Sequence, residues 1–373
     1  MSLQSEARVD LAAIRANVAT VRGLTSADVM AVVKADGYGH GLVPAARAAL
    51  AGGASWLGVA TLDEALAVRA AGITAPVLAW LIAPKQPLRE AIEADVELSV
   101  ATDWLLEDVV AAAAQAGRTA RVQLKVDTGL GRGGAGRAEW PELVATAAKH
   151  AAAGAVEITA IWSHFARADE PGDPSIVMQQ ENFGAALAIA KDRGVDPPIR
   201  HLANTAATLT LPEAHYDLVR VGIGMYGYSP IPGRTFGLRP AMTMRGSVAV
   251  VKRLPAGHGI SYGHIYTTSR ETTVALVPLG YGDGIPRQAS NIAPLWIGGR
   301  RHTISGRVCM DQFVVDVGDL PVDVGDDAVL FGPGDDGEPT ADDWAAALDT
   351  ISYEIVTRVG ARVPRTYVGE EIA

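Results

Sequence analysis

Short apolar runs of β-type residues alternate with Ala-rich runs of helical period through the first two-thirds of this chain. Strands that are separated by helices form parallel βαβ units, and eight such units close a barrel. The sequence has eight β-type runs, at 29–34, 56–61, 76–81, 96–101, 121–127, 156–164, 199–204 and 217–224. We therefore predict an α/β fold that begins with a (β/α)8 TIM-type barrel.

The pattern changes after about residue 234. Residues 239–331 show no helical period over ten residues, and they are rich in Val, Thr and Ile with Gly- and Pro-containing turns. Such a segment is typical of an antiparallel β domain. We predict a barrel over residues 8–234 and a mostly β C-terminal domain over residues 235–373, which residues 1–7 can join.

Charge and cysteine content limit the function classes. The 373 residues include 32 Lys and Arg against 42 Asp and Glu, a net charge of −10, which disfavours nucleic-acid and anionic-membrane partners. No uncharged run reaches the roughly 18 residues of a membrane span, and charged residues near position 1 argue against a signal peptide. The single cysteine, Cys309, cannot form an intrachain disulfide, and the histidines lack metal-ligand spacing. We expect a cytoplasmic protein without a metal.

Polar residues stand where five of the predicted barrel strands end, which is where barrels of this kind build their active sites. These residues are Lys34, Lys125, Asp127, His164, Asn204, Thr205, Arg220 and Gly222. Lys34 follows a buried apolar strand, so its amine loses hydration and gains neutral, nucleophilic character. It can form a Schiff base, or it can simply extend its charge out of the strand end into solvent.

The segments after strands seven and eight can hold a phosphate, as they often do in this fold. Thr205 is expected to cap the following helix, and Gly222 lets its own N–H and that of Ile223 approach an anion. A plain helix cap and a tight turn explain the same residues, and a Gly-rich turn taken alone favours this simpler explanation. A phosphate site facing a Schiff-base lysine suggests pyridoxal 5′-phosphate (PLP).

These residues lie in segments where the chain resembles the alanine racemases, a family of PLP enzymes with a barrel followed by a β domain. The similarity extends over nearly the whole chain. Its segments are 31–41 (AVVKADGYGHG), 124–133 (LKVDTGLGRG), 162–166 (WSHFA), 204–207 (NTAA), 220–227 (RVGIGMYG), 261–263 (SYG), 280–284 (GYGDG), 306–312 (GRVCMDQ) and 353–365.

The resemblance implies four catalytic residues. Lys34 would bind PLP and act as one base, and Tyr262 would be the second base on the opposite face of the cofactor. Arg220 would hydrogen-bond the pyridine nitrogen, with His164 linking it to Tyr262. Racemisation removes a proton from one face of Cα and delivers one to the other, so two opposed bases suit it. Because arginine stays protonated, it cannot protonate the pyridine nitrogen as an acid would.

The resemblance also implies the binding residues. Those for the cofactor are Lys34, Tyr38, His164, Asn204, Thr205, Arg220, Gly222, Ile223 and Tyr353. Those for the substrate are Arg132, Met310, Tyr281 and Asp311. In the family, Tyr262, Tyr281 and Met310 reach into a partner's barrel, which implies a homodimer with shared active sites. Lys125 matches a lysine that is carbamylated in many members, although pairing with Asp127 or a bound anion is an alternative.

The chain departs from the family pattern at Ser352, Gly282 and Thr205, where proline, alanine and serine are commoner. None of these changes removes a catalytic group, but Gly282 is expected to widen the space next to Tyr281 and with it the substrate range. The resemblance implies interconversion of L- and D-alanine, which would supply D-alanine for peptidoglycan. The alternatives are a racemase of serine or another small amino acid, a PLP-dependent decarboxylase of the same architecture and a PLP-carrying single-barrel protein.

Overall fold

Eight parallel strands form a nearly closed barrel in the computed structural model, which describes residues 3–369. Their spatial order is β8-β7-β6-β5-β4-β3-β2-β9, and backbone hydrogen bonds such as Arg220 N–H to Ala203 O (3.0 Å) join the two ends. The first strand of the chain, β1 (Ser5–Asp10), lies outside this barrel. The barrel strands are β2 (Asp28–Val32), β3 (Trp56–Val59), β4 (Val77–Ala79), β5 (Glu97–Val100), β6 (Ala120–Lys125), β7 (Val156–Trp162), β8 (Ile199–His201) and β9 (Leu218–Val221).

The remaining strands build the second domain. Its main sheet has six strands in the order β16-β15-β18-β10-β1-β19, so that β1 pairs antiparallel with β10 and parallel with β19. Smaller sheets join β11-β14-β17 and β12-β13. These strands are β10 (Met242–Ser247), β11 (Val250–Leu254), β12 (Gly259–Ile260), β13 (Tyr266–Thr267), β14 (Thr272–Val277), β15 (Pro294–Ile297), β16 (Arg300–Thr303), β17 (Phe313–Gly318), β18 (Asp327–Phe331) and β19 (Arg365–Val368).

Helices connect the barrel strands and close the second domain. They are α1 (Leu11–Arg22), α2 (Lys34–Tyr38), α3 (Leu42–Ala51), α4 (Leu62–Ala70), α5 (Leu88–Glu93), α6 (Asp103–Ala116), α7 (Trp140–Ala152), α8 (Pro174–Asp192), α9 (Thr205–Thr210), α10 (Ala341–Leu348) and α11 (Ser352–Thr357). Local signals start several of them. The Asp10 carboxylate accepts the Ala13 N–H and begins α1, and Thr61 with Glu64 forms a capping box at α4.

The barrel interior is divided by polarity. One side is filled by an apolar cluster of Met30, Trp56, Leu78, Trp162 and Leu218, each at most 6% exposed. The side formed by β5, β6 and β8 carries buried polar residues instead, including Glu97, Gln123 and His201 at 0% exposure. Barrel interiors are usually packed with branched apolar residues. The polar side is therefore a feature that needs a separate explanation.

The predicted fold class is confirmed, since all eight predicted runs contain a strand and residues 239–331 form β structure with short 3₁₀ turns. We predicted that the barrel starts at residue 8. Residue 8 lies within β1, and this strand pairs with β10 and β19 of the second domain. The domain boundaries otherwise stay a prediction, and residues 1–2 and 370–373 lie outside the described residues. None of the helices between residues 3 and 369 combines the length and the apolar character that a membrane crossing requires.

Candidate active site

Lys34 lies at the C-terminal end of the first barrel strand, where the chain leaves the buried run 29–33. Its side chain is half-buried, and burial followed by the nearby Arg132 charge lowers the pKa of its amine. A lysine that merely extended into solvent would keep its full hydration. The position therefore favours the nucleophilic amine over the solvent-directed one.

The chain after Lys34 makes one turn of left-handed helix. Ala35, Asp36, Gly37 and Tyr38 have φ values of 53°, 53°, 61° and 52°, a conformation that costs L-residues free energy at each position. Hydrogen bonds hold this turn in place, because Glu64 Oε1 accepts the Ala35 N–H at 2.6 Å and the carboxylate of Asp36 accepts the Leu42 N–H at 2.8 Å. This turn was not predicted from the sequence. We define the barrel mouth as the C-terminal ends of β2–β9. The turn places the Tyr38 hydroxyl at the barrel mouth, next to Gly222.

Tyr38, Thr205 and Gly222 form a small polar cradle at the barrel mouth. The Gly222 N–H donates to Thr205 Oγ1 at 3.0 Å, which leaves the Thr205 hydroxyl hydrogen free to donate elsewhere. An added Cβ at Gly222 would lie 2.5 Å from the Tyr38 hydroxyl oxygen, so only glycine fits there. Ile223 begins a 3₁₀ turn (Ile223–Tyr226), whose first N–H groups have no intrahelical acceptor.

One expectation for this cradle was wrong. Asn204, not Thr205, caps α9, because its side-chain oxygen accepts the Ala207 N–H at 3.0 Å. Thr205 is the first helical residue, and its hydroxyl faces Gly222 instead. The outcome keeps a hydroxyl and a set of backbone N–H groups at one place, which is the donor set that suits a phosphate.

Arg220 is a buried cation without a carboxylate partner among the described residues. It is 4% exposed, and burial lowers the pKa of its guanidinium to about 9, which still leaves it protonated at neutral pH. Nη1 donates to His201 Nδ1 at 2.9 Å, and Nη2 donates to His164 Nδ1 at 3.0 Å and to the Ser163 carbonyl at 2.9 Å. Nε is the one nitrogen with no acceptor in the described chain, so it remains available for a bound group.

His164 is half-buried beside Arg220 at the end of β7. Burial, with the Arg220 charge next in size, lowers its pKa well below the ordinary value, so the imidazole is neutral. Since its Nδ1 accepts from the arginine, the ring proton resides on Nε2. His164 therefore presents an N–H donor away from Arg220.

Lys125 lies at the end of β6, with Nζ 4.2 Å from the centre of the Trp162 ring. Burial, then the Arg220 and Arg132 charges, lowers the pKa of its amine to about 8. It forms no ion pair among the described residues. The Asp127 carboxylate instead accepts backbone N–H groups of Gly129 and Gly131.

Tyr262, Tyr281, Met310 and Asp311 are not at the barrel mouth of their own chain. The first three are exposed by 72%, 45% and 54% on turns of the second domain. Within residues 3–369 no hydrogen bond, ion pair or ring contact joins them to the barrel residues. The structure thus brings together Lys34, Lys125, Arg132, His164 and Arg220, and leaves the second-domain group separate.

Tyr353 is the exception from the second domain. It lies on α11, and its ring centre is 6.1 Å from that of Tyr38. Burial raises the pKa of both phenols, so both are protonated hydrogen-bond donors. Tyr353 therefore completes the cradle from the side of the second domain.

The expectation that Gly282 widens the space next to Tyr281 stays a prediction, and the structure shows an arginine beside this glycine. A Cβ at Gly282 would lie 2.6 Å from Nη2 of Arg362, so a side chain already occupies this space. The Arg362 guanidinium is held there by Asp283 at 3.0 Å and by Asp311 at 2.8 Å. The lack of a side chain at position 282 therefore leaves room for the Arg362 guanidinium.

Sequence reasoning missed several residues around Arg220. The His201 ring stacks on the Trp162 ring at an interplanar angle of 4°. The Arg220 guanidinium lies over the same Trp162 ring, with Cζ 4.9 Å from the ring centre. His201 is the last residue of β8, so its position at a strand end was the available signal. Glu64 had no such signal, because it reaches the Lys34 turn from the neighbouring helix.

Comparisons with known proteins were made for the whole chain. Residues 9–230 match the family model described as the alanine racemase N-terminal domain, and residues 241–367 match that of the alanine racemase C-terminal domain. The chain is similar to the alanine racemase of Salinispora tropica, with 61% identity over 98% of this chain and 99% of that one. It is also similar to that of Thermobifida fusca, with 58% identity over 99% of each chain.

Solved structures agree in fold. The crystal structure of alanine racemase from a D-cycloserine-producing Streptomyces lavendulae superposes with a TM-score of 0.97, at 55% identity, covering 99% of this chain and 98% of that one. An alanine racemase from Streptomyces coelicolor gives a TM-score of 0.97 at 56% identity, covering 98% of each chain.

Proposed function

The chain belongs to the alanine racemase family, and on that premise we propose that it interconverts L-alanine and D-alanine with two opposed bases and bound PLP. One observation in the site favours racemisation over the other PLP reactions of this architecture. The residue available to the cofactor ring is a buried arginine with a free Nε, and no carboxylic acid lies beside it among the described residues.

The residues present fit PLP. Glycine at position 222 leaves room for the Tyr38 hydroxyl, and its own N–H is taken up by Thr205 Oγ1. The Thr205 hydroxyl and the Ile223 N–H are the donors that remain for a phosphate. Tyr38 and Tyr353 add two protonated phenols. At the other end, Arg220 Nε suits a pyridine nitrogen, and the Lys34 amine suits an aldehyde. Asn204 and His164 lie beside these groups.

When bound, PLP supplies an aldehyde that attaches to amines and a conjugated ring that acidifies the substrate's Cα proton. The Lys34 amine would hold the cofactor, and it would also take or return the proton on one face of Cα. Its lowered pKa keeps a usable fraction in the basic form. Arg220 offers a hydrogen bond and retains its own proton, so it limits side reactions that need a protonated ring.

Tyr262 would supply the second base from a partner chain, which makes the active protein a homodimer with shared sites. Support comes from its exposure of 72% and from two exposed apolar residues, Ile265 at 41% and Ile292 at 48%. Ile265 follows Tyr262 closely in the chain, and Asn291, next to Ile292, donates to the Ile265 carbonyl. The His164 Nε2 proton faces away from Arg220 and can be donated to a phenolate oxygen. In this arrangement the partner's tyrosine moves the proton on the opposite face of Cα.

The substrate carboxylate would be held by Arg132 and by the backbone N–H of Met310, with Tyr281 and Asp311 lining the approach. Arg132 is close enough to affect the pKa values of Lys34 and Lys125, which supports its placement beside the reacting groups. A guanidinium binds a carboxylate through two parallel hydrogen bonds, so it fixes orientation as well as charge.

Lys125 would be carbamylated and would hold Arg132 in place. The support is a buried amine with a pKa of about 8 that has no ion pair in the described part of the chain and lies among cations. The neutral amine would attack carbon dioxide and release a proton, which converts a buried cation into an anion. A ¹³C NMR carbamate signal from ¹³C-bicarbonate, absent in Lys125→Ala, tests this assignment.

An assay in D₂O tests the reaction. The purified chain, supplemented with PLP and L-alanine, should yield D-alanine that carries deuterium at Cα, and no carbon dioxide. Lys34→Ala is the matched control, and it should lose both activity and the visible absorbance of the attached cofactor. Carbon dioxide and an amine product would indicate a decarboxylase. Racemisation of serine with a higher kcat/KM than that of alanine would identify serine as the preferred substrate. A chain that binds the cofactor but forms neither product would be a PLP-carrying protein.

A further inference from the structure

The polar side of the barrel interior contains a chain of hydrogen bonds that leads away from Arg220. We propose that His201, Gln123 and Glu97, here named the barrel relay, are positioning residues that fix the orientation of the Arg220 guanidinium. The proposal rests on the proposed function for what Arg220 then does toward the cofactor. The relay itself is a property of the barrel and can be tested without cofactor.

The geometry of the barrel relay is continuous. Arg220 Nη1 lies 2.9 Å from His201 Nδ1, His201 Nε2 lies 2.8 Å from Gln123 Oε1, and Gln123 Nε2 lies 2.8 Å from Glu97 Oε2. The three relay residues are 0% exposed and Arg220 is 4% exposed. No link passes through solvent.

The direction of every hydrogen bond in the relay is determined by its two ends. The guanidinium can only donate, so His201 Nδ1 must accept and the ring proton must reside on Nε2. His201 then donates to the Gln123 carbonyl, and the amide group of Gln123 donates to the Glu97 carboxylate. Burial and the Arg220 charge lower the pKa of His201 well below its ordinary value, so the ring stays neutral.

The far end of the relay is an ion pair at the N-terminal face of the barrel. Glu97 Oε2 also accepts from the Thr159 hydroxyl at 2.7 Å, while Glu97 Oε1 forms an ion pair with Arg121 Nη2 at 2.6 Å. The Arg121 side chain is 33% exposed. A carboxylate buried at this depth is costly unless it is paired and hydrogen-bonded. Arg121, Gln123 and Thr159 together meet this requirement, so Glu97 is a firmly held end point for the relay.

The relay supplies the one acceptor on Nη1 of Arg220. Nη2 is held independently by His164 and by the Ser163 and Leu202 carbonyls. With Nη1 and Nη2 both fixed, the guanidinium plane cannot turn, and the orientation of Nε is fixed with it. If His201 adopted the other tautomer, its Nδ1–H would face the Nη1 donors, and the guanidinium would have to rotate away.

Histidine tautomers, read by ¹⁵N NMR, provide the test. The chain has 8 histidines, so selective ¹⁵N-histidine labelling gives few signals, and His201→Gln identifies the one of interest. In the apoprotein His201 should show a bare Nδ1 and a protonated Nε2. Gln123→Leu removes the acceptor on Nε2 while Arg220 keeps Nδ1 as an acceptor, so the tautomer should be retained and the ¹⁵N signal of His201 Nε2 should shift. An unchanged His201 spectrum in Gln123→Leu would overturn the proposal.

The holoenzyme gives the second measurement. His201→Leu should lower kcat on the order of tenfold, the worth of one hydrogen bond to a charged group, and shift the ¹⁵N signal of labelled cofactor ring nitrogen. His201→Gln keeps one acceptor and one donor and should restore both values, whereas a merely structural role predicts no such restoration of the ring signal. Trp140→Phe removes a buried hydrogen bond outside the relay and controls for lost stability.

The two proposals fail in different ways. A wild-type chain that binds no PLP would contradict the proposed function, while the His201 tautomer would still report on the relay. A chain that racemises alanine but shows equal ring-nitrogen signals in His201→Leu and His201→Gln would contradict the relay and leave the function intact.

Discussion

Tyr262 carries the sharpest prediction at the scale of single residues. Tyr262→Phe removes one oxygen from an exposed side chain, so folding and cofactor absorbance should be unchanged. Proton transfer on the tyrosine face should fail, with a loss of about 10²-fold or more in racemisation. Cα deuterium exchange without inversion, followed in D₂O from one enantiomer, should persist through Lys34. Wild-type racemisation in both directions would remove Tyr262 from the mechanism.

The lowered pKa of Lys125 predicts that the free energy of unfolding of the apoprotein depends on pH in bicarbonate-free buffer. Its pKa falls from 10.5 to about 8 on folding, so the folded state binds fewer protons between these values and stability rises with pH through that window. Lys125→Met removes the buried cation. It should therefore be more stable than wild type at pH 7, by on the order of 3 kcal/mol.

That difference should shrink as the pH rises from 8 towards 10.5, because the amine of folded wild type is then already neutral and only the unfolded chain still loses its proton. Urea unfolding at the two pH values measures it. A constant difference across the range would show that lost packing over the Trp162 ring, and not the charge, controls the effect.

The site residues that were predicted from the sequence lie at the ends of barrel strands, whereas a relay residue that was missed, Gln123, lies inside its strand. Lys34 and His164 follow strand ends, where a barrel fold directs attention. Gln123 lies two residues before Lys125, on the same face of β6, and so it points inward as well. Its polarity inside a buried strand was a signal, but the partner, Glu97, comes from another strand and cannot be inferred without the barrel register.

The left-handed turn after Lys34 carries a prediction at the scale of one element. Ala35 has a φ of 53°, where an L-residue pays about 1 kcal/mol and glycine pays little. Ala35→Gly should therefore leave stability unchanged or raise it by up to about 1 kcal/mol. The matched control is Ala111→Gly, also exposed but in the right-handed helix α6, which should cost about 1 kcal/mol. Thermal unfolding of both variants measures the difference in stability. Equal losses of stability in the two variants would contradict backbone strain at Ala35.

This turn also shows where sequence reasoning stops at the element scale. The alternation of runs fixed the number of strands and the type of each connection, because burial imposes those periods. Three glycines at 37, 39 and 41 indicated a turn but not its hand over Ala35 and Asp36. The hand is set by distant contacts, above all the Glu64 carboxylate on the Ala35 N–H, which no local pattern reveals.

The proposed homodimer makes a prediction about the whole molecule. If Lys34 and Tyr262 of one site come from different chains, Lys34→Ala and Tyr262→Phe should complement each other when mixed. Random reassortment would give one intact site in half of the dimers, so about a quarter of wild-type activity should return. Each variant mixed with itself is the control. No recovery, with exchange of subunits verified by mass, would require both bases to come from one chain.

The pairing of β1 with β10 has a consequence for how this molecule can be taken apart. Val9 lies opposite Met242, and the Asp10 N–H donates to the Ala241 carbonyl at 2.8 Å, so the chain leaves the six-stranded sheet and returns to it at adjacent points. The whole barrel is therefore an insertion between two neighbouring strands. A hairpin loop of a few residues from Asp10 to Met242 would excise it and leave the order of the sheet intact. By the same topology, another domain whose chain ends lie close together can be inserted between Asp10 and Met242 without changing the strand order of the β domain.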